Sequence, residues 1–392
     1  MSQLNPETQT STPPPPAPEA KPRKRLSSGP FGGEGIPFGS NEMRLTGRQW
    51  LATIVIALAV LWALPKVWGL VEPVKVVPNM RVPFDLGSDY WRVERDFNAM
   101  MKSTDNAIVG DSVMWGAYVP PESTLSAQLN TRMASANFAN LGISGCHSVS
   151  CYGLIKYYGK AVTGKNVLLA FNPLWISTPR EDLTTKSLSG INHSKLIPQL
   201  TESIPAYIDT GIDDRLGIAI KHRFEIFGWV QHIQTVCFGG DDIPAWTIKN
   251  PYGTPTLVDF PDLPPDKAPS LAKSWTARRI KPTEFPFVPL DKSYQWRYFG
   301  KLVELLQERG NNVYVLVGPY NEHMIKGKAL DRYRQEIKPG MEKWLQDHKV
   351  PYLAPEPLPT EIYTDSSHPI LGGYGMIADQ LVNDPEFQKI FK

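Results

Sequence analysis

Only three cysteines occur in 392 residues, Cys146, Cys151 and Cys237. A monomer can join two of them and must leave a thiol over, so a disulfide-stapled scaffold is excluded. No pair has the spacing of a metal-binding knuckle, and no structural zinc is expected. A strong excess of one charge is also missing. The formal net charge is +2, and the first 48 residues carry all of it, with six Lys and Arg against four Asp and Glu, leaving 35 of each elsewhere. A neutral body has no overall basic field to attract nucleic acid, so no nucleic-acid partner is expected. No internal repeat is visible, which argues against solenoids and propellers.

Long hydrophobic runs are rare, with one exception. Residues 1–40, with Pro13 to Pro16 in a row, a basic cluster at Lys21, Arg23, Lys24 and Arg25, and a glycine-rich stretch to Gly39, hold too little apolar surface to repay the entropy of ordering. The reading is a disordered tail over 1–48. From Trp50 to Leu64 there is then no charge and one polar residue, Thr53, and after Pro65 and Lys66 the apolar run resumes to Val71. About 22 residues suit one bilayer crossing, which needs roughly 20. A core helix would show a polar face, and a cleaved signal would not follow so long a tail. A single transmembrane anchor is expected over 49–71. The upstream basic cluster favours an N-terminus inside a cytoplasmic membrane and an extracytoplasmic body.

The body begins near residue 85. Strands are expected at 106–110, 138–143, 167–171, 313–317 and 352–353, and the continuous apolar run Val167 to Phe171 suits a buried parallel strand. Helices are expected at 125–133, 149–162, 294–309 with Gly310 as its stop, 330–348 with an interruption at Pro339, and 374–381. Alternating strands and helices predict an α/β fold: a three-layer sandwich with a central parallel sheet flanked by helices. Between about 183 and 291 the rhythm breaks into a proline- and aromatic-rich insertion. Within it, Leu216 to Val236 reads as one amphipathic helix with Phe224, Phe227, Val230 and Ile233 near one face, capping or flanking the sheet.

Three short blocks carry chemistry. Val109-Gly110-Asp111-Ser112 puts a serine directly after a strand, at the sheet edge where open α/β folds place ligands. Asn140-Leu141-Gly142-Ile143-Ser144-Gly145 and Asn172 end the next two strands at the same edge, where a backbone N–H and an amide suit a developing oxyanion. Asp365-Ser366-Ser367-His368-Pro369 precedes the last helix. Asp and His three apart in a turn can lie side by side, with one imidazole nitrogen on the carboxylate and the other free for a serine proton. Each block alone is an ordinary cap or turn.

Taken in order, these blocks resemble the SGNH hydrolases, or GDSL-type esterases, over about 105–183 and 292–385. The resemblance implies an SGNH/flavodoxin-like fold, Ser112 as nucleophile, His368 as base and Asp365 as its partner. It implies an oxyanion hole of Ser112, Gly145 and Asn172, with Gly142 a weaker choice than Gly145. The usual third block reads GxND, whereas this chain has Ala170-Phe171-Asn172-Pro173. Proline after that asparagine also resembles envelope-associated members acting in polysaccharide O-acetylation. The implied activity is a serine esterase or O-acyltransferase that removes or transfers a short acyl (acetyl) group on a cell-envelope glycan, without metal or organic cofactor. A membrane-bound acyl donor protein is an implied partner. A non-catalytic scaffold binding a glycan or partner, and a lipase with the insertion as a membrane-facing lid, stay open. Of the neighbours, His147 is expected to face solvent rather than line a pocket, Trp115 and Tyr118 to pack on the sheet, and 320–323 to have no direct role. Cys146 and Cys151 could bridge on an oxidising side of the membrane.

Overall fold

The computed structural model describes residues 45–134, 136–186, 191–197, 200, 203–254, 272–370 and 372–392. The expected disordered tail lies almost wholly outside them. The chain divides into two compact units, Met1–Ala59 and Val60–Lys392. What is described of the first is the start of helix α1 (Gly47–Val71), whose most apolar 18-residue window has mean hydropathy 2.2 and is 6% buried. A helix of 25 residues is about 37 Å long, more than a hydrocarbon core of roughly 30 Å. It is long and apolar enough to cross a membrane, and its apolar side chains are exposed all round, unlike those of a core helix.

The second unit holds five strands, β1 (Asn106–Val109), β2 (Phe138–Asn140), β3 (Asn166–Phe171), β4 (Asn312–Val317) and β5 (Tyr352–Leu353), all parallel in the order β2-β1-β3-β4-β5. The helices that follow α1 are α2 (Tyr90–Lys102), α3 (Ser112–Trp115), α4 (Leu125–Arg132), α5 (Ser148–Tyr158), α6 (Ile212–Lys221), α7 (Glu225–Phe238), α8 (Ile243–Lys249), α9 (Tyr294–Glu308), α10 (Lys328–Arg332), α11 (Lys338–Asp347), α12 (Gly373–Val382) and α13 (Pro385–Phe391).

Strand side chains alternate between two apolar clusters, because successive Cβ atoms leave opposite faces. Val109, Leu169, Phe171, Val315 and Val317 join side chains of α2, α5, α9 and α11. Ile108, Leu168, Tyr314 and Leu316 join those of α4, α12 and α13. Burying each large side chain fully contributes roughly 1.5–3 kcal/mol, which is why strands buried on both faces read as unbroken apolar runs.

Helix ends follow local chemistry. Ser293 accepts from the Trp296 N–H at the start of α9, and Gly310 takes φ +74° just past its end. The Asp182 carboxylate also receives the Tyr294 and Gln295 N–H groups at 3.1 and 3.2 Å, so both ends of the 183–292 segment emerge at one place. Two expectations change. The helix over 330–348 is continuous through Pro339, because a wider π turn at Tyr333–Ile337 precedes it and Pro339 sits in the first turn of α11, where no N–H is needed. The single amphipathic helix over 216–236 is instead two, α6 and α7, with Phe224 in extended conformation between them.

Candidate active site

The strand order reverses direction at β1: β2 lies on one side of it and β3 on the other. Loops leaving β1 and β3 therefore diverge from a crevice, the usual ligand position in such sheets. Ser112 opens α3 directly after β1, and Asn172 follows β3. Gly110 permits the close approach there, since a Cβ on it would lie 2.5 Å from Met114 Cγ and 3.1 Å from Ala170 Cβ.

The Ser112 hydroxyl lies 2.8 Å from His368 Nε2. On its other side the imidazole Nδ1 is 2.9 Å from both oxygens of Asp365. Asp365 Oδ1 also accepts the backbone N–H groups of Ser367 and His368, each at 2.9 Å, which closes the turn. Burial pushes the Asp365 carboxyl up, but the His368 hydrogen bond and charge with the two backbone donors outweigh it and hold the group below its ordinary range. Burial pushes His368 down, yet Asp365, then the Asp111 charge, raise it above an ordinary imidazole. Ser112, Asp365 and His368 all keep some exposure.

The turn bearing Asp365 and His368 follows β5 at the sheet's edge and reaches a serine that follows β1. It is held on the way. Asn321, buried after β4, donates its amide to the Asp365 carbonyl at 3.0 Å and its backbone N–H to the Ser366 carbonyl at 2.8 Å. From the insertion side, the Trp275 N–H donates to the Tyr363 carbonyl at 2.8 Å, and Arg278 Nη1 to the Thr364 carbonyl at 3.1 Å.

Asp111 is a hub that sequence reasoning treated only as part of a block. It is 4% exposed. Its Oδ1 receives the Val113 N–H at 2.9 Å, capping α3, while Oδ2 receives Asn172 Nδ2 at 2.7 Å and Trp175 Nε1 at 2.8 Å. Asn172 Oδ1 accepts from the Leu174 N–H at 3.0 Å, so its amide is oriented and keeps one N–H beyond the bond to Asp111. Gly142 is removed as an oxyanion donor because its N–H binds Asn140 Oδ1 at 3.0 Å. Gly145 takes φ +75°, lies against Asn192, and its N–H bonds to none of the described residues.

Two neighbours differ from expectation, and a third acts on the site only at one remove. His147 does not face solvent: it is fully buried, caps α5 from its ring, and burial followed by the His193 charge pushes it down to about 3. Tyr118 does not pack on the sheet. Its ring stands edge-on to the His368 imidazole at 5.3 Å, from a backbone at φ +68° that a bulky residue adopts only under strain. Asn321, in the loop given no direct role, steadies the Asp365 turn. No periodicity could have revealed these, since each depends on loops far apart in sequence. Trp115 is buried as expected, its Nε1 on the Val82 carbonyl at 2.7 Å. All three cysteines are buried free thiols. Among the described residues, no group of three His, Cys, Asp or Glu side chains is arranged to hold a metal ion.

Such an arrangement can raise the nucleophilicity of a hydroxyl: the imidazole accepts its proton and the carboxylate holds the tautomer and bears the resulting charge. The chain matches no family model and no curated protein.

Proposed function

We propose that this chain is a membrane-anchored serine esterase or O-acyltransferase of the SGNH type. One observation carries the reading: the Ser112 hydroxyl is 2.8 Å from His368 Nε2 while Nδ1 is held by Asp365. The parallel sheet with helical clusters on alternate strand residues supports the finer fold, a three-layer α/β/α sandwich of flavodoxin-like strand order.

In the proposed reaction, Ser112 Oγ attacks the acyl carbon and His368 Nε2 takes its proton. The carbonyl electron pair moves to oxygen, which is received by the N–H groups of Ser112 and Gly145 and the remaining amide N–H of Asn172. The first residue of a helix has no intrahelical acceptor for its N–H, which leaves that of Ser112 available. The carbon–oxygen bond of the ester breaks and the leaving alcohol takes the proton from His368. Water or a glycan hydroxyl then attacks the acyl-enzyme, giving its proton to His368, and Ser112 is regenerated. The proposed substrate is a short acyl ester on a cell-envelope glycan outside the cytoplasmic membrane, with acyl groups arriving from a membrane-bound donor protein when the acceptor is a glycan. This chemistry requires no metal or organic cofactor.

The test uses the full chain in nanodiscs with an aryl acetate, Ser112→Ala as control, and a serine-reactive phosphonate. Turnover abolished by Ser112→Ala, with the phosphonate on Ser112, is the expected result. No turnover and no adduct would overturn the enzyme reading in favour of a binding scaffold, and a strong preference for long acyl chains would replace it with a lipase.

A further inference from the structure

The insertion carries an apolar face that no described protein surface covers. On α6, Ile212, Leu216 and Ile220 recur every fourth residue, so they form one stripe along the helix, and they are 71%, 44% and 48% exposed. Phe224 and Phe227 extend it at 58% and 43%, and Ile248 on α8 is 81% exposed. Neither α6 nor α8 buries a single residue fully. Isolated exposed apolar residues need no explanation, but a stripe along one helix followed by two exposed rings marks a contact with something.

What it contacts follows from where α7 begins. Glu225, the residue after Phe224, pairs with Lys66 near the end of α1 at 2.9 Å, and Trp229 meets Trp68 edge-on with ring centres 5.8 Å apart. The link is reinforced where α1 ends: buried His232 on α7 bridges Glu72 and Asp89, each at 2.7 Å, and Arg92 on α2 binds Glu72 at 2.5 Å and Asp96 at 2.8 Å. From Gly47 to Lys66 an α-helix rises about 30 Å, the thickness of a hydrocarbon core. Lys66 and Trp68 thus fall at the boundary where such a helix leaves lipid, with the charge and ring suited to headgroups. Phe224 and Phe227 are held beside that boundary. Exposed Lys221 and Arg223 precede them, as cations at the headgroup level would.

We infer that α6 to α8 form a second membrane contact, an interfacial helical platform that lies in the headgroup region beside the exit of α1 and takes a phospholipid surface as its partner. The inference rests on α1 spanning a bilayer and does not depend on the hydrolase chemistry. The clasp of Glu72, Asp89, Arg92 and His232 ties α2 and α7 to the residue that follows α1.

The experiment places a nitroxide on one introduced, exposed cysteine at a time, at Ile220, Phe227 or Ile248 of the full chain, whose three native thiols are buried, in nanodiscs of phosphatidylcholine and phosphatidylglycerol. Val55→Cys in α1 reports lipid, and Glu304→Cys, at an exposed position of α9, reports water. Collision with oxygen is compared with collision with a water-soluble nickel chelate, and each variant is first checked by its melting temperature. The expected oxygen-to-nickel ratio at all three positions is several-fold above that of the Glu304 label and independent of the number of chains per disc. Ratios equal to that of the Glu304 label would overturn the inference. Protection that appears only with two chains per disc would overturn it in favour of a self-association face. An aqueous reading at Val55 as well would instead remove the anchor on which it stands.

Discussion

Asp111→Asn tests the hub beneath Ser112. An isosteric Asp→Asn change at an exposed position usually alters stability by no more than about 0.5 kcal/mol. Here the carboxylate accepts three hydrogen bonds and is 4% exposed. An amide has one oxygen. If that oxygen keeps the Val113 N–H, the new NH2 faces Asn172 Nδ2 and Trp175 Nε1, donor against donor. If it turns to serve those two, the cap of α3 is lost, at about 1 kcal/mol. Two buried donors left without an acceptor cost about 1–3 kcal/mol each. The amide takes the cheaper arrangement, so the expected loss is about 1 kcal/mol, which for a domain of this size lowers the melting temperature by about 2–4 °C. Asp111→Ala should fall several-fold further, because it leaves all three donors without an acceptor. Melting of the detergent-solubilised full chain, followed by near-UV circular dichroism, reads both. An Asp111→Asn protein that melts within a degree of wild type would refute the hub, since the three donors would then have other acceptors.

Further predictions concern the pH response and the supports of the site. Activity requires neutral His368, and Asp365 raises its pKa above the ordinary imidazole, so the acid limb should lie above about 6.5. In Asp365→Asn only the Asp111 charge still opposes burial, so the limb should move to lower pH while kcat drops by orders of magnitude; a stationary limb in the pH–rate profile would contradict the coupling. Asn321→Ala should reduce kcat by about tenfold, the equivalent of one or two hydrogen bonds to a displaced turn, while leaving the pH limb in place. A shifted limb would show that Asn321 acts on charge rather than position. His232 is raised to about 9, since Asp89 and Glu72 together outweigh the effect of burial. A raised folded-state pKa stabilises fully below the unfolded value near 6.5 and is lost as pH rises through 9, a contribution of about 3 kcal/mol. Melting curves from pH 6 to 10 should therefore fall for wild type relative to His232→Gln, and parallel curves would refute the charged clasp.

Much of this molecule was legible in one dimension because the signals are local. The run at Val167 to Phe171 reports a strand buried on both faces, Ser293 and Gly310 mark the two ends of α9, and the length of the stretch from Trp50 to Val71 matches a bilayer. The blocks around Ser112, Gly145, Asn172 and Asp365 to His368 were legible as motifs for the same reason: each is a few residues at a strand end. Whether they meet was not. The distance of 2.8 Å between Ser112 and His368 depends on the strand order and on Asn321 holding a turn that starts from the far edge of the sheet. The threefold acceptance by Asp111, the edge-on Tyr118 and the burial of His147 likewise required loops from different strands to arrive at one place. A periodic pattern shows which face of a helix is apolar but not what lies across from it. Phe224 and Phe227 were legible as one face of an amphipathic stretch in an insertion that caps or flanks the sheet, or forms a membrane-facing lid. Only the tertiary structure, which turns α7 by docking His232 onto Glu72 and Asp89, leaves those rings pointing outward.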